Sequence, residues 1–73
     1  IGENALAYLI RGMIHAAKLE NDAAVADFDK SIELDDTNPE AFKNRGMLRR
    51  VLSDYHGARA DKKMAKELEE SGQ

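Results

Sequence analysis

The chain of 73 residues contains no cysteine and no tryptophan, one proline, two histidines, two tyrosines and two phenylalanines. Without cysteine there is no disulfide framework, no thiolate metal ligand and no thiol nucleophile. A reducing compartment such as the cytoplasm is compatible with this composition. Two histidines alone make a poor zinc site, since three or four protein ligands are usual, so no metal or other cofactor is expected. No apolar run approaches the roughly 18 residues that a membrane-spanning helix needs, and no signal-peptide pattern is visible, so no membrane insertion is expected. The first residue is Ile1 rather than methionine, as in an excised piece of a longer protein.

What remains is a charged, aliphatic composition: 42% hydrophobic and 34% charged residues. This suits a folded, helix-rich chain. Its length predicts one small domain, residues 1–73, of marginal stability. The net charge of −3 is unevenly spread. Residues 1–36 hold three basic and eight acidic side chains, and residues 37–73 hold eight basic and six acidic. Overall acidity argues against broad nucleic-acid binding, while leaving room for a local basic patch.

The tripeptide Arg11-Gly12-Met13 recurs 34 residues later as Arg45-Gly46-Met47. At the same shift, and without a gap, Ala7 meets Ala41, Tyr8 meets Phe42 and Ala24 meets Ala58. Ala26-Asp27 likewise meets Ala60-Asp61, and Glu33-Leu34 meets Glu67-Leu68. Two copies of one unit, about 5–38 and 39–72, account for nearly the whole chain.

Each unit reads as two helices. In the second, Asn38-Pro39-Glu40 combines an N-cap, a proline at the first helical position and an acid in the first turn. This predicts a helix over 39–52, and Ser53-Asp54 offers capping side chains for another over 55–70. In the first, a helix is expected from Asn4 to Leu19. Asn21-Asp22 opens its partner, whose apolar stripe is Val25, Phe28 and Ile32. Asp35-Asp36-Thr37 is the break between units.

A glycine inside a helix costs roughly 1 kcal/mol relative to alanine. Gly12 and Gly46 each precede an alanine, Ala24 and Ala58, by twelve residues. Each Gly–Ala pair is expected at the crossing of its two helices, where a bulky side chain would push them apart.

Period and pattern together resemble the tetratricopeptide repeat, a family of 34-residue helix–turn–helix units. That family's aromatic, glycine, alanine, aromatic and small-residue places are filled in the first unit by Tyr8, Gly12, Ala24, Phe28 and Ser31. In the second, Phe42, Gly46, Ala58 and Ala65 fill four of the five. Lys62 replaces the second aromatic, Asp36 and Glu70 stand where the family often has proline, and Arg11 and Arg45 stand where leucine is usual. The resemblance implies an all-α fold, a solenoid of two stacked helical hairpins with four helices. The last helix carries Lys62, Lys63, Lys66, Glu67, Glu69 and Glu70, with Lys63–Glu67 and Lys66–Glu70 as possible pairs along it. Such a polar face suits the end of an array.

In the first helix, Leu6, Leu9, Ile10, Met13, Ile14, Ala16 and Ala17 cover too much of the circumference for one buried face. Something besides its own unit is expected to cover it: a neighbouring helix, a second copy of the chain or a ligand.

Catalytic groups are few. Ser53, Asp54 and His56 are neighbours in sequence, but fit a turn and a helix N-terminus better than a triad, so no enzymatic activity is expected. Lys43, Arg45, Arg49 and Arg50 cluster on one helix, with Lys43, Met47 and Arg50 on a shared face. No aromatic is expected to stack beside this patch.

The resemblance further implies a groove, lined by the first helix of each unit, that holds a peptide or partner helix. Its floor would be Leu6, Leu9, Met13, Ala16 and Ala17 from the first unit. Glu40, Lys43, Asn44, Met47, Arg50 and Val51 from the second would add a basic rim. One tetratricopeptide subclass clamps the C-terminal carboxylate of heat-shock chaperones; Asn44 matches one of its residues, but Leu9 and Met13 replace two others, so no such clamp is expected. The function expected is protein–protein interaction within a scaffold, with an acidic segment bearing apolar anchors as partner. Self-assembly is the alternative, as a homodimer or as a head-to-tail array.

Overall fold

The computed structural model describes residues 2–72. They form four helices and no strand: α1 (Gly2–Ala17), α2 (Asn21–Leu34), α3 (Pro39–Val51) and α4 (Tyr55–Ser71). α1 packs along α2 and α3 along α4, giving two helical hairpins. α2, with a smaller contribution from α1, bridges them by packing on α3, whereas α4 packs on α3 alone.

The core lies where the hairpins meet. Leu9 of α1, Ala24 and Phe28 of α2, and Ala41 and Leu48 of α3 are buried together, with Ala16, Val25 and Ile32 at their edge. Phe28 is the largest fully buried side chain, at 1% exposure. Burying such a ring contributes roughly 2–3 kcal/mol. Ala24 and Ala41 have no exposed surface, and their small side chains let α2 and α3 approach.

Both hairpin turns have the same construction. The N–H of Leu19 donates to the carbonyl of Ala16 and that of Glu20 to the carbonyl of His15, at 3.0 and 2.9 Å. In the second hairpin, Ser53 donates to Arg50 and Asp54 to Arg49, at 3.0 and 2.7 Å. These are paired bonds of the Schellman type, which require a left-handed residue just past the helix. Leu19 (φ 62°) and Ser53 (φ 66°) supply it, although neither is glycine. The expected first helix therefore stops at Ala17, two residues short of Leu19. An L-residue in this region is strained by about 1–2 kcal/mol, part of which glycine returns as unfolded-state entropy. Because Leu19 is exposed, Leu19→Gly is expected to stabilise the protein by about 0.5–1 kcal/mol. Thermal melting checks this, and an unchanged or lower Tm would count against the strain.

Two helix starts follow the expected capping and one does not. The Asn38 side chain accepts from the Glu40 N–H at 3.0 Å, and that of Asp54 from the Gly57 N–H at 2.9 Å. At α2 the cap position is Glu20, not Asn21, and it makes no side-chain cap. Its carboxylate is engaged by His15 Nδ1 at 2.8 Å instead.

The glycines allow close helix approach, but not in the same way. A Cβ on Gly12 would lie 2.7 Å from two ring carbons of Phe28 and 3.2 Å from the Asp27 Cβ, so the ring rather than Ala24 is its nearest neighbour. A Cβ on Gly46 would meet the Asp61 Cβ at 3.1 Å and the Ala58 carbonyl at 3.3 Å. The difference comes from Lys62, which stands in Phe28's place and is exposed, leaving the α4 backbone as the nearer surface. Phe42 and Ala65 are buried, Tyr8 and Ala58 half-buried. Ser31, at the place of Ala65, donates its hydroxyl to the Ala5 carbonyl at 2.7 Å.

Candidate functional site

The repeated arginines, expected as departures from a leucine position and, for Arg45, as part of a basic cluster with Arg49, form the main polar structure of the molecule; Arg45 and Arg49 are paired with Asp61. Arg11 grips Asp27 through Nε and Nη2 at 2.8 and 2.7 Å. Arg45 grips Asp61 in the same two-pronged way at 3.0 and 2.8 Å. Each guanidinium also lies over the aromatic ring three residues earlier, Tyr8 at 5.2 Å and Phe42 at 5.6 Å. A fourth group joins each pair: His15 Nε2 stands 3.6 Å from Asp27, and Arg49 Nη1 donates to Asp61 at 3.1 Å. Asp27 and Asp61 are buried, and no buried side-chain polar atom among the described residues lacks a partner. The Arg11 hydrogen bond holds the Asp27 carboxyl below the usual aspartate range against the opposing effect of burial. The bond to Asp61 raises the Arg45 pKa in turn.

Among the described residues one ion pair crosses between the hairpins. Arg45 Nη1 reaches Asp29 of α2 at 3.0 Å. Arg45 thus binds two carboxylates, one from each hairpin.

The open surface of the second hairpin is a basic groove. A depression of about 400 Å3 between α3 and α4 is lined by Lys43, Met47, Arg50, Tyr55, Arg59 and Lys62, among others. A second, of about 420 Å3, shares Lys43, Met47 and Lys62 and runs on to Lys66 and Glu69. A third, of about 180 Å3, lies at the other side of Met47, where Ala16, Leu19, Phe28, Leu48 and Val51 are apolar and Asn21 and Asn44 polar. Met47 borders all three and is 69% exposed. Lys43 is drawn to Glu69 and, at 3.6 Å, to Glu40. The Glu69 hydrogen bond raises its pKa, keeping it protonated. Arg50, Arg59 and Lys62 make no ion pair among the described residues.

Sequence reasoning placed part of this surface. Lys43, Asn44, Met47, Arg50 and Val51 do line the depressions. Glu40 is exposed beside Lys43. Leu6, Met13 and Ala17 are exposed on α1 but line none of the three. Leu9 is a correction: at 4% exposure it is a core residue, because α3 covers it. No further helix among the described residues covers its counterpart Lys43. A second correction is Tyr55, an exposed aromatic beside the basic side chains where none was expected. The third concerns Lys63–Glu67 and Lys66–Glu70, which are not ion pairs here; Lys43–Glu69 and Arg45–Asp61 tie α4 to α3 instead.

Arg59 and Lys62 of α4 were missed as groove residues. The signal was available in the 34-residue shift: they stand in the places of Val25 and Phe28, which pack in the core of the first hairpin. A face that is apolar in one hairpin is cationic in the other.

The remaining candidates for chemistry are occupied structurally. Asp54 caps α4, Ser53 holds the left-handed turn and His56 is exposed on the first turn of α4. No group of three or more metal-ligating side chains occurs among the described residues, and no helix there is long and apolar enough to cross a membrane. Comparison of the chain with protein-family models, curated proteins and solved structures returned no match.

Proposed function

We propose that the chain is a protein–protein interaction module of the tetratricopeptide type, two stacked hairpins of a solenoid, which holds an acidic partner segment in the basic groove around Met47. The observation that carries this reading is the groove's composition: an exposed methionine and tyrosine flanked by Arg50, Arg59 and Lys62, none of them ion-paired among the described residues. A flexible thioether adapts to varied apolar anchors. Free guanidinium and ammonium groups beside it select carboxylates through charge-assisted hydrogen bonds. The 34-residue repeat, the matching hairpin turns and the glycines at the helix crossings support the tetratricopeptide resemblance.

A displayed library of peptides that combine aspartate or glutamate with one or two apolar anchors tests the proposal. Enriched peptides should carry the acid next to the anchor and bind more weakly as salt rises. The double variant Arg50→Glu with Lys62→Glu should lose roughly tenfold or more in affinity, about one charge-assisted contact, while its helical circular dichroism is unchanged. Enrichment without an acid, or binding indifferent to both reversals, would rule out this groove.

A further inference from the structure

The two hairpins offer an internal template for a surface that the groove does not use. In α3, the residues facing the first hairpin are Ala41, Arg45 and Leu48. Their counterparts 34 residues earlier are Ala7, Arg11 and Ile14 on α1. Leu48 is 6% exposed and Ile14 51%. The Arg45 side chain is 15% exposed and that of Arg11 61%. Arg45 gives Nη1 to Asp29 across the hairpin boundary, whereas Nη1 of Arg11 makes no hydrogen bond among the described residues. The same arginine is fully engaged in one hairpin and half-engaged in the other. A shallow depression of about 270 Å3 lined by Asn4, Ala7, Tyr8 and Arg11 marks the place.

We propose that this open face of α1 docks an amphipathic helix from a partner, with apolar residues at its first, fourth and eighth positions and an aspartate at its fifth. That is the pattern by which Val25, Phe28, Asp29 and Ile32 of α2 cover α3. The aspartate completes Arg11 as Asp29 completes Arg45, and the apolar residues close over Ala7 and Ile14. A second copy stacked in register is the wrong occupant. Its corresponding side chains are Arg59, Lys62, Lys63 and Lys66, so four cations would meet Arg11 in place of three apolar groups and an acid. The assignment stands independently of the groove, whose unpaired cations Arg50, Arg59 and Lys62 lie on α3 and α4.

The test transfers the first hairpin's covering face onto the second. A variant with Lys43→Leu, Arg50→Ala, Arg59→Val, Lys62→Phe, Lys63→Asp and Lys66→Ile presents to a neighbouring copy what α2 and α1 present to α3. Sedimentation velocity should show the parent as a monomer and this variant as head-to-tail assemblies that lengthen with concentration. Adding Arg11→Glu should return it to a monomer. A folded variant that stays monomeric overturns the proposal, as does assembly that ignores Arg11→Glu, which would be mere apolar stickiness. A parent that dimerises through Ile14 also overturns it, since the occupant is then a second copy. Should the variant fail to fold, a synthetic peptide of residues 20–36 titrated into the parent decides. It should shift the amide resonances of Ala7 and Ile14 and bind roughly tenfold more weakly with Asp29→Lys; a peptide that binds elsewhere, does not bind or tolerates that change overturns the proposal.

Discussion

Asp61→Ala is expected to cost about 3 kcal/mol, and the equivalent change in the first hairpin, Asp27→Ala, about 1 kcal/mol. The two carboxylates occupy the same place in the repeat and each accepts a two-pronged bond from its arginine. They differ in what is left behind. Without Asp61, Arg45 and Arg49 remain against α4 with side chains only 15% and 27% exposed. Arg45 then keeps only Asp29 and Arg49 only Asp54, at 3.0 and 3.7 Å, so two partly enclosed charges lose the buried carboxylate they shared, which is worse than never having had the pair. Without Asp27, Arg11 turns to water from an exposed position. The stability expected for a chain of this size is only about 4–11 kcal/mol, so the first variant should lose about a quarter to three quarters of it. Urea denaturation with an unchanged slope measures both. Equal costs at the two sites would show that solvent access to the arginine does not set the penalty.

Gly12→Leu should cost about 3 kcal/mol or more. Its Cβ alone would stand 2.7 Å from the Phe28 ring, and that ring is enclosed and has nowhere to turn. The hairpin must open, and the junction with α3 opens with it. Gly46→Leu should be milder, because Gly46 borders the basic groove and the added side chain can extend into it. The check is a double-mutant cycle with Phe28→Ala. Removing the ring should absorb part of the Gly12→Leu cost, giving a coupling of about 1 kcal/mol or more. Strict additivity would mean that the clash lies elsewhere.

Four helices in two hairpins were legible because the signals are local or periodic. The 34-residue shift needs no knowledge of packing, and Asn38-Pro39 and Asp54 mark helix starts by their own chemistry. What was not legible depends on which neighbour covers which face. Leu9 and Lys43 occupy one repeat position, yet only Leu9 lies beneath another helix, and no property of leucine says so. Arg11 and Asp27 were both visible as repeated residues; their pairing needed the crossing geometry of α1 and α2. Arg59 and Lys62 read as a solvated charge run because their sequence neighbours are charged, while the face they share with Met47 and Tyr55 is assembled only when α3 and α4 meet.

Arg45 is sixteen residues from Asp61 in one direction and sixteen from Asp29 in the other. Loop-closure entropy depends on span, so it favours neither partner. Time does. Chains are made from the N-terminus at about 5–20 residues per second, and Asp29 already exists when Arg45 is added, whereas Asp61 is still to come. The bridge between the hairpins can therefore form while the second hairpin is half made. α3 would be seated on the first hairpin before α4 arrives to close over it.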